Sequence, residues 1–130
     1  MILTKNDLLG KINQRDDGRF VLVSPEFSGE KEVYLLSETY MAFKKLSELA
    51  KKDGIELKIL SGLRSFAYQK AIWERKWESI GEEENREKAR KILAYSAMPG
   101  ISRHHWGTEV DLNSLDNAYF LDGYGKKVYD

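Results

Sequence analysis

From Ile55 to Leu60 the chain reads Ile-Glu-Leu-Lys-Ile-Leu, bounded by Gly54 on one side and by Ser61-Gly62 on the other. A hydrophobic period of two places alternate side chains on opposite faces only in an extended strand, so this segment predicts a half-buried strand ending at Ser61. Helical patterns flank it. Ser37 reads as the N-cap of a helix from Glu38 to Lys52, with Met41, Leu46, Leu49 and Ala50 as its buried face and Lys51, Lys52 and Gly54 marking its end. Ser65 can cap a second helix from about Phe66 to Glu78, which offers Phe66, Tyr68, Ala71, Ile72 and Trp77 for burial and leaves Trp73 partly exposed. A strand between two amphipathic helices predicts the α+β class, with helices packed on one side of a small, mostly antiparallel sheet.

The remaining segments fill in that frame. Thr4 with Asp7 resembles a helix N-cap with an acidic first turn, and Leu8, Leu9 and Ile12 supply a short apolar stripe before Asp16-Asp17-Gly18. Phe20 to Val23 and Val33 to Leu36 read as short extended pieces. After Gly81, the stretch from Glu82 to Leu93 pairs Glu84 with Lys88 and Glu87 with Lys91 at a spacing of four, the pattern of a solvated helical face. Ser96 to Ser102 is a loop by its Pro-Gly and small residues, and Thr108 to Leu112 alternates again as a strand. The remainder, Asn113 to Asp130, is polar and glycine-bearing, with no closing element. No internal repeat or linker is visible, and residues 1–130 read as a single domain.

Composition limits the chemistry. A chain of 130 residues with 42% hydrophobic side chains can bury roughly two thirds of its unfolded surface, so a metal would be needed for chemistry rather than for folding. Lys plus Arg equals Asp plus Glu at 21 each, which leaves no net field to attract nucleic acid over long range. Zero cysteines exclude a thiol nucleophile, a thiolate zinc cluster and a disulfide framework. No stretch approaches the roughly 18 apolar residues of a membrane span, and the first residues lack a signal-peptide layout.

Imidazole chemistry is confined to one place, because the only histidines are His104 and His105. They stand in Ser102-Arg103-His104-His105-Trp106-Gly107-Thr108-Glu109-Val110-Asp111, where six residues separate His104 from Asp111. Zinc takes imidazole nitrogen and carboxylate oxygen, and a catalytic zinc keeps three protein ligands and one open position. On a strand, Glu109 and Asp111 would share one face while Val110 and Leu112 turn to the core. Adjacent histidines in an extended loop point apart, so one is a ligand and the other is not. The pair alone is also compatible with a core histidine and a turn aspartate.

Ser102-x-His104-x-x-Gly107-x-x-x-Asp111 resembles the metal motif of the VanY-type D-alanyl-D-alanine carboxypeptidases, within the LAS metallopeptidases (lysostaphin, D-Ala-D-Ala peptidase, sonic hedgehog). Ser61-Gly62-Leu63-Arg64-Ser65 with Gln69 resembles the upstream substrate segment of that family, and Tyr95 to Gly100 resembles the lead-in to its metal motif. The resemblance implies a hedgehog/D-Ala-D-Ala peptidase-like fold and a zinc (Zn2+) D,D- or L,D-carboxypeptidase acting on peptidoglycan stem peptides. His104 and Asp111 would be the zinc ligands. Arg64 and Ser102 would hold the substrate's terminal carboxylate, with Gln69 nearby as a polar orienting group. An arginine fork suits a free carboxylate, gripping it through two charge-assisted hydrogen bonds. A periplasmic or extracellular, cell-envelope location follows from such a substrate.

The same resemblance expects a third ligand and a general base from a Glu-x-x-His type segment beyond Asp130, and no histidine follows His105. Three explanations stand side by side: a piece of a longer, active enzyme truncated at its C-terminus; a strand borrowed from another molecule; or a non-catalytic relative that binds a peptide or wall fragment. Endolysin-type endopeptidase activity is a further alternative. Glu109, two residues before Asp111, is a candidate substitute ligand or base, or else an outer acid. With two ligands visible, weak zinc binding and little or no hydrolysis are expected.

Overall fold

The structure, a computed structural model, describes residues 2–114. Their order is α1 (Lys5–Leu9), β1 (Phe20–Leu22), α2 (Pro25–Ser28), β2 (Tyr34–Leu36), α3 (Ser37–Lys52), β3 (Leu57–Ser61), α4 (Phe66–Ser79), α5 (Asn85–Leu93), a 3-10 turn (Arg103–Trp106) and β4 (Asp111–Ser114). The class is α+β. The strands form two antiparallel ladders, β1 with β2 and β3 with β4, rather than one sheet.

Local chemistry explains most boundaries. Thr4 and Asp7 form a reciprocal capping box at the start of α1, and Gly10, in a left-handed conformation, stops the helix well before Ile12. Ser65 accepts the backbone N–H of Tyr68 and so caps α4 as its sequence suggests. Ser37 does not cap α3. It is the first helical residue, following Leu36. The helix expected over Glu82 to Leu93 begins only at Asn85.

The core lies between the two ladders and α3. Val23, Val33, Leu35, Phe43 and Ile59 are buried, with Phe27, Tyr40, Leu57, Val110 and Leu112 packed around them. Each such side chain contributes about 1.5–3 kcal/mol when fully buried. On α3 the expected face is the wrong one: Met41 is 54% exposed, Leu49 59% and Leu46 also exposed, whereas Phe43 and Ser47 are buried. Phe27 of α2 meets Phe43 and Tyr40 edge to face at 5.1 and 6.2 Å between ring centroids. Two aromatic rings bury more area than the aliphatic stripe, so they set the helix's roll.

Other expected burial also differs. On α4, Tyr68 and Ala71 face outward, while Gln69 is buried. Trp73 is partly exposed as expected. On α5, Lys88 lies over the Trp77 ring at 4.7 Å instead of pairing with Glu84, and the ion pairs are Lys91 with Glu83 and Arg90 with Glu87. The strand expected at Thr108 to Leu112 is displaced to Asp111–Ser114. The expectation of a polar tail without a closing element falls, from residue 115 onward, outside the described residues.

Candidate active site

The site forms where β3 ends and β4 begins. Ser61 is paired with Asp111, and an irregularity in the ladder between Ile59 and Ser61 re-aims the side chains at this end. Ser61 Oγ donates to Asp111 Oδ2. Arg64 Nη2 donates to Ser61 Oγ at 2.9 Å and to Asp111 Oδ2 at 3.2 Å. The carboxylate is thus fixed from one side by the turn that follows β3.

His104 approaches the same oxygen, its Nε2 lying 3.6 Å from Asp111 Oδ2. Its Nδ1 is 2.7 Å from the carbonyl of Gly62, an acceptor only, so Nδ1 carries a proton and Nε2 is the ring nitrogen turned toward the carboxylate. The backbone holds the ring there. Ser102 is buried and its Oγ accepts the N–H of His104 at 3.3 Å, while Arg64 N–H donates to the carbonyl of His104 at 3.0 Å. Gly107, at φ 68°, ends the 3-10 turn, and its carbonyl accepts from Leu36 N at 3.0 Å.

His105 is fully buried and points elsewhere. Its Nδ1 donates to the carbonyl of Arg64 at 2.6 Å and its Nε2 accepts from Gly100 N at 2.9 Å. The two histidines diverge as expected, but in a 3-10 turn rather than an extended loop. A Cβ on Gly10 would lie 2.4 Å from His105 Nδ1, so α1 must end in glycine for the ring to fit.

Gln69 is 1% exposed, and its Nε2 donates to the carbonyl of Ala97 at 2.8 Å. Its Oε1 has no hydrogen-bond partner among the described residues. Glu109 is held by Arg103 at 2.7 Å. No group of three or more His, Cys, Asp or Glu able to hold a metal occurs among the described residues, so Glu109 does not join His104 and Asp111 as a substitute ligand.

Ser61, Arg64, Gln69, Ser102, His104 and Asp111 line a cleft of about 1150 Å³ that also takes in Tyr68, Ile72, Arg75 and Lys76 of α4. His104 and Asp111 can present one nitrogen and one oxygen to a common cation, a donor set suited to zinc. Among the described residues, side chains engage Arg64 through Nη2, which leaves Nε and Nη1 as donors toward a carboxylate. Sequence reasoning missed Ser61, the carbonyl of Gly62 and the tethering role of His105. The position of Ser61-Gly62 at a strand end was the available signal.

Comparison with known proteins places this geometry in a family. The family model described as D-alanyl-D-alanine carboxypeptidase, VanY, matches residues 32–128. The putative carboxypeptidase YodJ of Bacillus subtilis (strain 168) is 35% identical over 105 residues, 78% of this chain and 36% of that protein. The chain therefore spans about a third of that relative. Among solved structures, the LD-carboxypeptidase LdcB is 32% identical with a TM-score of 0.62, over 86% of this chain and 53% of that one. A vancomycin-resistance D,D-pentapeptidase VanY in complex with Zn(II) matches at 20% identity and a TM-score of 0.62, covering 90% of this chain and 67% of its own. VanYB in complex with D-alanine-D-alanine matches at 24% and 0.62, covering 91% and 61%. These last two share the fold. The chain belongs to the VanY D-alanyl-D-alanine carboxypeptidase family.

Proposed function

We propose that the chain carries the metal- and carboxylate-binding machinery of a zinc-dependent D,D- or L,D-carboxypeptidase that releases the terminal D-amino acid from peptidoglycan stem peptides. Its place of action would be the cell envelope, where that substrate lies. What supports this reading above all is the approach of His104 Nε2 to within 3.6 Å of Asp111 Oδ2, beside a guanidinium whose Nε and Nη1 have no side-chain partner among the described residues. Zinc complexes and D-alanine-D-alanine complexes of fold relatives agree with it.

When bound, zinc would lower the pKa of a water toward about 7 and polarise the scissile carbonyl. His104 and Asp111 would hold the ion, and the Gly62 carbonyl would keep the imidazole in the ligating tautomer. Arg64 would grip the terminal carboxylate through Nε and Nη1. Ser102 would add its hydroxyl, and Gln69 would position the loop through Ala97. The third ligand and the general base are assigned to no described residue.

Zinc titration against a chromophoric chelator tests the metal assignment. One ion per chain is expected, with H104A and D111N each weakening binding more than about 100-fold, the upper end of what losing a ligand's supporting hydrogen bond costs. A D-Ala-D-Ala-terminated pentapeptide is expected to bind, and its C-terminal amide to bind markedly worse. Binding indifferent both to these substitutions and to amidation would overturn the proposal. Comparison of D-Ala-D-Ala with L-Lys-D-Ala termini decides between D,D and L,D specificity.

A further inference from the structure

Tyr68, Gln69, Ile72, Arg75 and Lys76 line the cleft at the spacing of one helical face, so α4 forms a wall leading away from the Arg64 turn. The charges along the cleft do not balance. Each of its acids already has a cation: Asp111 has Arg64, Glu109 has Arg103, and Glu32 has Arg15. Arg75 and Lys76 also line the cleft, and neither has an acidic partner among the described residues. Lys76 is partly buried and donates to Ser96 Oγ at 2.6 Å across the cleft wall. Burial pushes its ammonium below the usual lysine range, and the nearby Arg64 and Arg75 charges add to this. Holding like charges together in a partly desolvated place is unfavourable by itself, and a carboxylate between them relieves it.

We propose that Arg75 and Lys76 form a second anion subsite that takes a carboxylate carried by the peptide substrate upstream of its terminus. This rests on the proposed function, because it takes the terminal carboxylate to lie at Arg64 and Ser102, beside Gln69 at the start of α4. The helix rises about 1.5 Å per residue, so Lys76 lies roughly 10 Å along α4 from Gln69. An extended peptide covers that distance in roughly three residues. The enzyme then selects stem peptides bearing an acid, rather than an amide, about three residues before the released one.

Calorimetric titration of the 130-residue chain with four synthetic pentapeptides ending in D-Ala-D-Ala tests this. They carry glutamate or glutamine three residues before the end, each with a free or amidated C-terminus. The glutamate peptide is expected to bind about tenfold tighter than the glutamine peptide, as one charge-assisted contact allows. The R75Q/K76M double variant should lose that preference and keep the penalty for C-terminal amidation. R75Q alone, on an exposed side chain, should lose part of the preference, and K76R should retain it. Wild-type binding that responds to C-terminal amidation but not to the upstream acid would overturn the second subsite and leave the proposed function standing. Binding that responds to neither carboxylate would overturn both, and a preference that persists in the double variant would overturn the assignment to these residues.

Discussion

Asp111 is the most crowded side chain of the site, because one oxygen receives Ser61 and Arg64 and also has His104 Nε2 3.6 Å away. Ser61→Ala removes the hydroxyl without touching either proposed ligand. It is expected to lower zinc affinity roughly tenfold, at the mild end of the effect of losing a ligand's support, with the circular dichroism spectrum unchanged. His105 has no such freedom. Each of its ring nitrogens serves a buried backbone group, so His105→Ala leaves Gly100 N–H and the Arg64 carbonyl unmatched and should cost about 2–4 kcal/mol in urea denaturation. His105→Gln, which keeps a donor and an acceptor, should recover part of that. That two neighbouring imidazoles diverge was legible from the sequence, and the motif resemblance singled out His104 as the proposed ligand. What local sequence does not show is what orients each ring, because the carbonyls of Gly62 and Arg64 lie about forty residues away in the chain.

Among the elements, the glycines at the site carry the tightest packing. A Cβ on Gly107 would sit 2.8 Å from Phe20 Cε1 and 2.9 Å from Leu36 N, at a φ of 68° that L side chains avoid. Gly107→Ala should therefore lose about 2–4 kcal/mol, from left-handed backbone strain plus overpacking against β2. Gly54→Ala has a similar φ and open space around it, so its loss should stay near about 1 kcal/mol. Midpoints of urea unfolding for the two variants separate packing from backbone strain. Capping and turn signals made α1, α4 and the 3-10 turn legible, since Thr4, Ser65 and Gly107 act within their own neighbourhoods. The roll of α3 was not legible, because it is set by Phe27, which arrives from a helix of only four residues. The start of β4 was misread for a related reason: alternation from Thr108 onward marks sidedness, but pairing begins only where β3 offers Ser61.

At the scale of the whole molecule, the acid side of the stability curve follows from ion pairs outside the cleft. Arg19 beside Asp7, with Thr4 bonded to the same carboxylate, holds Asp7 well below the usual carboxylate range, and Arg19 likewise lowers Asp17. A carboxylate depressed in the folded state stabilises the fold above its unfolded value, near 3.8, and this contribution is lost as pH falls toward the folded value. The thermal midpoint should hardly change from pH 7 to about 5 and should drop below about 4; Asp7→Asn should flatten that drop, as read by calorimetry. The contacts that assemble the cleft have a different character, since they join residues 41 to 50 positions apart: His105 to Arg64, His104 to Gly62, Ser61 to Asp111. Closing such long loops is entropically costly, and little is gained until the termini of both strands have met. On the proposed reading, cation capture is then a late event in the life of the newly made chain. A polypeptide with its helices formed but these distant partners still apart would go unloaded, so metal content doubles as a record of which molecules finished folding.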